Sequence, residues 1–497
     1  MSTETIGQSG PPVADPPAAA GDTTHLARNE LGPVAIALFV VAAAAPLSVM
    51  AGVGPLAIQL GGLGAPGGYL IGGLLMAVFA VGFVTMARHV PNAGAFYAYI
   101  GRGLGRPLGA GAALFATFAY NALEICFVGV FGYFAATTFA DVLGIDVAWQ
   151  WWSAICIALI GILGYRRVTL SATVLGVMLG LEVVILLVLA VPVILQGGET
   201  GLTLVTFDPG NIFTSGVGAL FVLSFGAFIG FESTAIYSEE ARDPRRTVAR
   251  ATFLAVAFLG LFYTLIMWMI VVAFGPDGAV AIATDDPAGM FFVAMDQYVG
   301  GVSTDVMQLL IVTSAFAATL AFHNAAARYH FALGREGILP RAFARANPRN
   351  GAPVAGSLAQ TVISIVVIGI CMIIGADPYL EIFLWPGSMG ILAVLALQTL
   401  CSLAVVAYFR SRMRGDGAPE ESVWATVIAP VVATIGLAVT CFLIVRNFDL
   451  LTAASAGTNL ALLLPLPVIF AAGVVRALQI KRTDPARYEQ LLSTRVD

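Results

Sequence analysis

Three glutamates lie inside long apolar stretches of this sequence, where an ionisable side chain is costly and is a functional candidate by default. They are Glu124, Glu182 and Glu232, and no lysine or arginine lies comparably deep. Burial without a cationic partner disfavours the anionic form of a carboxyl group. Such groups suit the binding and release of a proton, and each also fits a structural hydrogen bond between helices. Glu124 and Glu232 are further candidates to meet a substrate ammonium.

Two of the apolar stretches, residues 33–60 and 212–238, carry residues that interrupt helices near mid-membrane. A spanning helix has no lipid partners for backbone groups that it leaves free, so an interruption there needs a reason. Paired interruptions at matching positions indicate a transporter site at the midplane, with freed N–H groups for a carboxylate and freed carbonyls for an ammonium. The alternative is that glycine and proline serve only close helix packing. The interrupting residues are Pro46, Gly52, Gly54 and Pro55 in the first stretch and Gly226 and Gly230 in the second.

The elements that position these residues are predicted to be about twelve transmembrane helices. The chain has 497 residues, of which 59% are hydrophobic and 11% charged, whereas soluble domains carry about 25% charged residues. Apolar segments of roughly 20 residues recur, each long enough to cross a hydrocarbon core of about 30 Å. The predicted spans are 33–60, 67–88, 107–138, 150–164, 168–195, 212–238, 248–274, 289–322, 354–375, 381–409, 423–445 and 456–478.

Basic residues predict the orientation of these spans. Of the 24 lysines and arginines, 23 fall in alternate loops and in the two terminal segments, and only Arg446 falls on the other side. Because basic residues favour the cytoplasmic side, both termini are predicted to be cytoplasmic and the protein to be a multi-pass protein of the inner (cytoplasmic) membrane. Residues 1–32 are predicted to be a disordered tail and residues 479–497 a C-terminal tail.

Several other functions lack support in the sequence. The single lysine, Lys481, follows no Walker A loop, and the five cysteines show no metal-ligand spacing. We expect no cofactor, no metal, no nucleic-acid partner and no enzyme activity. A channel or a receptor is a weaker alternative, since neither a repeated pore-lining motif nor a sizeable soluble segment is found. A transporter with two parallel six-helix halves would make spans one and seven equivalent, yet span seven has one interior glycine, Gly260.

Three motifs resemble those of the amino acid–polyamine–organocation (APC) superfamily, in family order and spacing. The resemblance covers roughly residues 30–480. The motifs are Pro91-Asn-Ala-Gly94-Ala-Phe-Tyr97, then Gly230-Phe-Glu-Ser-Thr234 continuing through Glu239-Glu-Ala-Arg242-Asp-Pro-Arg-Arg-Thr247, and finally Asn324-Ala-Ala-Ala-Arg328 with Gly334-Arg-Glu-Gly-Ile-Leu-Pro-Arg341.

The resemblance implies an all-α membrane protein of the LeuT type, with two inverted five-helix repeats and two peripheral helices. The repeats would be residues 33–195 and 212–409, and the peripheral helices residues 423–478. It also implies secondary transport of an amino acid or a related amine by alternating access, with helices one and six discontinuous. Polyamine or amino-alcohol transport and amino acid/amine exchange are the alternatives. The substrate-binding residues that follow from the resemblance are Ser48, Met50, Ala51, Gly52, Gly54, Phe228, Ile229, Gly230, Phe231 and Glu232, with Glu124 added from the intramembrane acids.

Glu182 departs from the pattern of the family. Many members carry a lysine on the fifth helix, eleven positions after a Ser-Ala pair, which replaces a sodium ion and couples transport to protons. Counting from Ser171-Ala172 gives Glu182. Glu182 is therefore the predicted proton-coupling residue, unless it holds a cation or coupling has moved elsewhere. Thr313 and Ser314 are candidates for an ion site, because spans one and eight build the sodium site in relatives of this fold.

Overall fold

All regular structure in the described part of the chain is helical. The computed structural model describes residues 32–90, 96–166, 172–240, 243–347, 351–413 and 421–491. Eleven stretches within these residues are long and apolar enough to cross a membrane, by length and composition. The fourth predicted span, 150–164, corresponds to the helix Trp149–Arg166, which is not among the eleven because polar and tryptophan residues fill its first turn. The protein is a multi-pass membrane protein.

The helices follow one another with short connections. The sixth predicted span is completed by a 3₁₀ segment, Phe231–Glu240, that follows α10. The α-helices are α1 (Pro33–Ala43), α2 (Pro46–Gly52), α3 (Gly54–Gly61), α4 (Ala65–His89), α5 (Phe96–Leu104), α6 (Arg106–Leu143), α7 (Trp149–Arg166), α8 (Ala172–Gln196), α9 (Pro209–Ile212), α10 (Val217–Gly226), α11 (Pro244–Asp285), α12 (Met290–Tyr298), α13 (Gly301–Arg335), α14 (Val354–Ile374), α15 (Leu384–Met413), α16 (Ala429–Arg446), α17 (Phe448–Thr452), α18 (Ala456–Leu463), α19 (Pro465–Thr483) and α20 (Pro485–Gln490).

The eighth span differs most from its predicted bounds of 289–322. Residues 290–298 form the separate short helix α12, and the long helix α13 runs over Gly301–Arg335. Gly300 has φ 121°, a conformation that suits glycine and ends the short helix. Because α13 continues to Arg335, His323 lies well inside this helix, whereas the predicted bounds would place it just past the end of the span.

Two other parts of the chain also differ from the sequence-based description. Phe96–Leu104, expected to lie in a loop, forms the helix α5 with a buried aromatic face. The predicted C-terminal tail is helical as far as Gln490, and Glu489 pairs with Arg106 at 2.8 Å. The predicted N-terminal tail lies outside the described residues except for Gly32, as do residues 91–95 of the first family motif.

The long helix α6 lies in the middle of the bundle and packs against α5, α7, α13, α15 and α19. Glycines permit close approach elsewhere in the core. A Cβ added to Gly73 on α4 would lie 2.9 Å from the Cα of Gly260 on α11. Small residues at such crossings let helix backbones approach, which is the main source of packing energy between helices in lipid.

Candidate functional site

The first span is interrupted immediately before Pro46, the first of the four interrupting residues that the sequence indicated. Helix α1 ends at Ala43, Ala45 adopts a left-handed conformation with φ 41°, and α2 begins at Pro46. Proline has no N–H and disfavours the helical conformation of the residue before it, so the chain leaves the helix at this point. The substrate-binding candidates from Ser48 to Gly54 lie in mostly helical chain, with a second irregularity at Val53 (φ −116°) between α2 and α3.

The sixth span is interrupted where the sequence predicts. Helix α10 ends at Gly226, and Gly230 has φ 116° before the chain continues as a 3₁₀ segment. A residue with a Cβ adopts this conformation only at a cost, so the glycine permits the break. The Gly230 N–H donates to Glu232 Oε2 at 3.0 Å, and the Gly230 carbonyl accepts from the Ser233 hydroxyl.

The two interruptions meet at one cavity. Its volume is about 50 Å³, which leaves room for only a few water molecules. Ala44 from the first break and Gly226, Ala227 and Ile229 from the second line it. Helix α2 contributes Val49, and helices α6, α13 and α15 supply further walls, which include Leu123, Cys126, Phe127, Phe322, Gly387 and Ser388.

Glu182 joins helix α8 to the first break. Its Oε2 accepts a hydrogen bond from the Leu47 N–H at 3.1 Å and another from the Ser314 hydroxyl at 2.9 Å. Ser314 in turn accepts from the Ser48 N–H at 3.3 Å. Leu47 and Ser48 begin α2, whose first N–H groups have no partner within the helix. One carboxyl group therefore caps α2 and ties it to α8 and α13.

The structure brings Ser48, Glu182 and Ser314 together but leaves Thr313 outside this cluster. Thr313 is exposed, and its hydroxyl donates to the carbonyl of Leu310 on its own helix at 2.9 Å. Adjacent residues on a helix point about 100° apart, so Thr313 and Ser314 cannot both face the first break.

Glu124 is turned away from the cavity and has a partner that the sequence-based prediction did not identify. His323 Nδ1 lies 3.2 Å from Glu124 Oε1, and the Ser364 hydroxyl donates to the same oxygen at 2.9 Å. The other ring nitrogen of His323 lies 2.8 Å from the Ser357 hydroxyl. These fully buried groups connect α6, α13 and α14. The structure therefore places Glu124 in a helix-joining network rather than beside a substrate ammonium.

Glu232 also has protein partners. Besides the Gly230 N–H, its carboxylate accepts from the Tyr120 hydroxyl of α6 at 2.9 Å. The contact fixes the 3₁₀ segment to the helix that forms one wall of the cavity. Glu232 is fully buried and does not line the cavity.

Among the substrate-site residues predicted from the sequence, Ile229 is the one that lines the cavity. The others are not among the residues that line it. Ser48, Met50 and Ala51 are buried in α2, the Gly52 carbonyl accepts from the Tyr379 hydroxyl at 2.6 Å, and Gly54 abuts Met267. Phe228 packs on Tyr263 and Phe231 on Phe79.

Several residues that line the cavity were not among the predicted site residues, and three of them share a spacing that is visible in the sequence. Leu123, Cys126 and Phe127 are spaced i, i+3 and i+4, which places them on one face of α6. Phe127 stacks on Phe322 of α13, with ring centroids 5.3 Å apart. The spacing was visible in the sequence, but such a face is also expected of any buried helix.

The sequence from residue 34 to residue 472 matches the family model described as amino acid permease. The chain belongs to this family. The resemblance drawn from the three motifs is thereby confirmed.

Individual relatives of the permease are distant. It is 29% identical over 153 residues to the branched-chain amino acid permease BcaP of Lactococcus lactis subsp. cremoris (strain MG1363), covering 31% of each chain. It is 27% identical over 244 residues to the L-asparagine permease of Salmonella typhimurium, covering 47% of each chain. It is 26% identical over 306 residues to the vacuolar cationic amino acid transporter 2 of Arabidopsis thaliana, covering 59% of this chain and 47% of that one. The permease thus spans about a third to a half of the length of these relatives.

Proposed function

We propose that this permease is a secondary active transporter that moves an amino acid across the cytoplasmic membrane by alternating access, in symport with a proton. The observation that carries the proposal is the convergence of both interrupted helices on one buried cavity. Discontinuous helices that meet at mid-membrane are the usual construction of a transporter site. The names of the relatives, which include amino acid permeases, support the same substrate class.

The ends of the half-helices provide the charges that an amino acid needs. Helices α1 and α10 both end at the cavity, where their C-terminal carbonyls create a partial negative charge that favours an ammonium. Helix α2 begins beside it, where its N-terminal N–H groups favour a carboxylate. In the present arrangement Glu182 and Ser314 occupy the N–H groups of Leu47 and Ser48. A substrate carboxylate at these N–H groups would therefore have to replace a partner within the protein.

The proposed architecture follows the two-repeat plan. Residues 33–195 form the first repeat and 212–409 the second, each opening with an interrupted helix, and residues 423–478 form two peripheral helices. The distribution of arginines favours cytoplasmic termini. Under this plan, the first helix of each repeat moves against the remaining helices to open the cavity to one side at a time.

Glu182 is the proposed proton carrier. As a carboxylate it offers acceptors to the Leu47 N–H and the Ser314 hydroxyl. Protonation converts one carboxyl oxygen into a donor and weakens those bonds. Proton binding would then loosen the joint between α2, α8 and α13 and permit the first helix to move. Sodium is the alternative coupling ion, because the same carboxylate and hydroxyl oxygens also suit a hard cation.

Counterflow in proteoliposomes tests the proposal. Vesicles loaded with unlabelled amino acid are expected to take up trace labelled amino acid faster than empty vesicles, since a carrier returns more quickly when loaded. A channel would show no such stimulation by internal substrate. The proposal would be overturned if, for every amino acid tested, uptake neither saturates nor is stimulated by internal substrate. Cooperative unfolding of the same protein sample on heating would show that the protein was folded.

A further inference from the structure

The walls of the cavity carry no charged side chain among the residues that line it. Aliphatic and aromatic groups dominate, with Val49, Leu123, Phe127 and Phe322 among them. The polar side chains present are the thiol of Cys126 and the hydroxyl of Ser388. A ligand can therefore find charge complementarity at the helix breaks but not along these walls.

Each of the three intramembrane glutamates contacts other groups of the protein outside the cavity. Glu124 contacts His323 and Ser364, Glu232 contacts Tyr120 and the Gly230 N–H, and Glu182 contacts α2 and Ser314. None of the three lines the cavity. A side chain bearing an ammonium or guanidinium would enter an apolar pocket without a counter-charge, which costs several kcal/mol. An acidic side chain would face the same penalty, since no basic group lines the walls.

Two glycines keep space open on the wall that α15 and α10 form. A Cβ added to Gly387 would lie 3.2 Å from the Cys126 sulfur, so a methyl group fits there after a small shift. A Cβ added to Gly226 would lie 2.6 Å from Cδ1 of Ile391, which leaves less tolerance. Because both glycines line the cavity, a side chain at either position takes volume from the ligand.

We infer that the substrate is a zwitterionic amino acid with an uncharged, compact aliphatic side chain, which packs against Leu123, Cys126, Phe127 and Phe322 and is limited in size at Gly387. This inference rests on the proposed transport function. It excludes lysine, arginine and polyamines as preferred substrates. In this arrangement the helix breaks recognise the amino acid backbone, and the apolar walls select the side chain.

The test is uptake by the full-length protein in proteoliposomes, with labelled alanine, valine, leucine, lysine, glutamate and putrescine. Valine and leucine are expected to show KM values at least about tenfold below that of lysine, since burying an unpaired charge is disfavoured by more than the 1.4 kcal/mol that a tenfold change represents. Lysine or putrescine transported with a KM at or below that of leucine would overturn the inference while leaving the transport function intact. Transport of none of the compounds would instead count against the proposed function.

Variants at the size-limiting wall make the test specific to these residues. Gly387→Ala is expected to raise the KM for leucine about tenfold and to change that for alanine by less than about twofold, because one methyl group in an apolar pocket changes discrimination by 10-fold or more. Cys126→Ala combined with Gly387→Ala restores volume and is expected to recover leucine transport. Gly369→Ala, on α14 with open space around the added Cβ, is the matched control. Equal KM changes for leucine and alanine in Gly387→Ala, without recovery in the double variant, would refute the assignment of this wall.

Discussion

Glu182→Gln is expected to abolish amino acid accumulation driven by a pH gradient while leaving counterflow exchange in place. Glutamine retains a carbonyl oxygen that accepts from the Leu47 N–H, so the cap on α2 survives. It cannot take up a proton, and the link between the gradient and the cycle is lost. For one proton per substrate, each pH unit drives an accumulation of about tenfold in the wild type. In the variant the ratio is expected to fall to about one.

The control for this variant is Glu199→Gln, which makes the same chemical change at an exposed position outside the candidate spans. Its accumulation is expected to match the wild type. Counterflow by Glu182→Gln also serves as the folding control, because an unfolded carrier would not exchange substrate. Wild-type accumulation by Glu182→Gln under a pH gradient would remove Glu182 from the coupling mechanism.

The second large effect is expected at Gly230. Its φ of 116° lies in a region that a residue with a Cβ enters only at a cost of about 1–3 kcal/mol. Gly230→Ala should shift the segment toward a continuous helix and disturb the hydrogen bonds between Gly230 and Glu232 and between Gly230 and Ser233. Because Ile229 lines the cavity, counterflow is expected to fall to background.

A second glycine with a positive φ provides a control that separates this effect from general destabilisation. Gly375 has φ 71° at the end of α14, with open space around an added Cβ. Gly375→Ala is expected to lower the melting temperature as well, yet to retain counterflow. If Gly230→Ala and Gly375→Ala transport equally well, the left-handed turn at Gly230 is not needed for the site.

The sequence was sufficient to predict the membrane helices and the break at Gly230, because hydropathy and backbone restrictions act locally. Hydrophobic length was enough to predict that eleven of the twelve spans exist, although not all of their bounds, whereas Trp149–Arg166 needed the alternation of arginines to support it. The sequence indicated four interrupting residues in the first span, and the main break falls at the first of them. The missing N–H of Pro46 and the restriction on Ala45 decide its place.

The direction in which buried side chains point could not be predicted in the same way. Glu124 and Cys126 are two positions apart on α6, so they face different sides of one helix, and only the positions of the neighbouring helices show which side meets the cavity. The role of His323 was missed because the eighth span was placed too early, which put this histidine at a helix end. Its partners Glu124 and Ser357 are 199 and 34 residues away in sequence. Contacts over such distances follow from tertiary packing and not from local pattern.

The partners of the three intramembrane glutamates distinguish them in a way that the sequence did not show. All three were expected to lack a lysine or arginine partner in the membrane. Glu124 instead contacts His323, and Glu232 contacts a hydroxyl and a backbone donor. Glu182 alone bridges an interrupted helix to two other helices. That position, rather than burial by itself, is why we propose Glu182 as the coupling residue.

The central claim is that the interrupted helices form the site of a proton-driven amino acid carrier. The most direct measurement is uptake of labelled leucine into proteoliposomes with an acidic exterior and a neutral interior. Saturable accumulation above the external concentration, collapsed by a protonophore, is the predicted result. Leucine that only equilibrates across the membrane at every imposed pH gradient would contradict proton-driven transport.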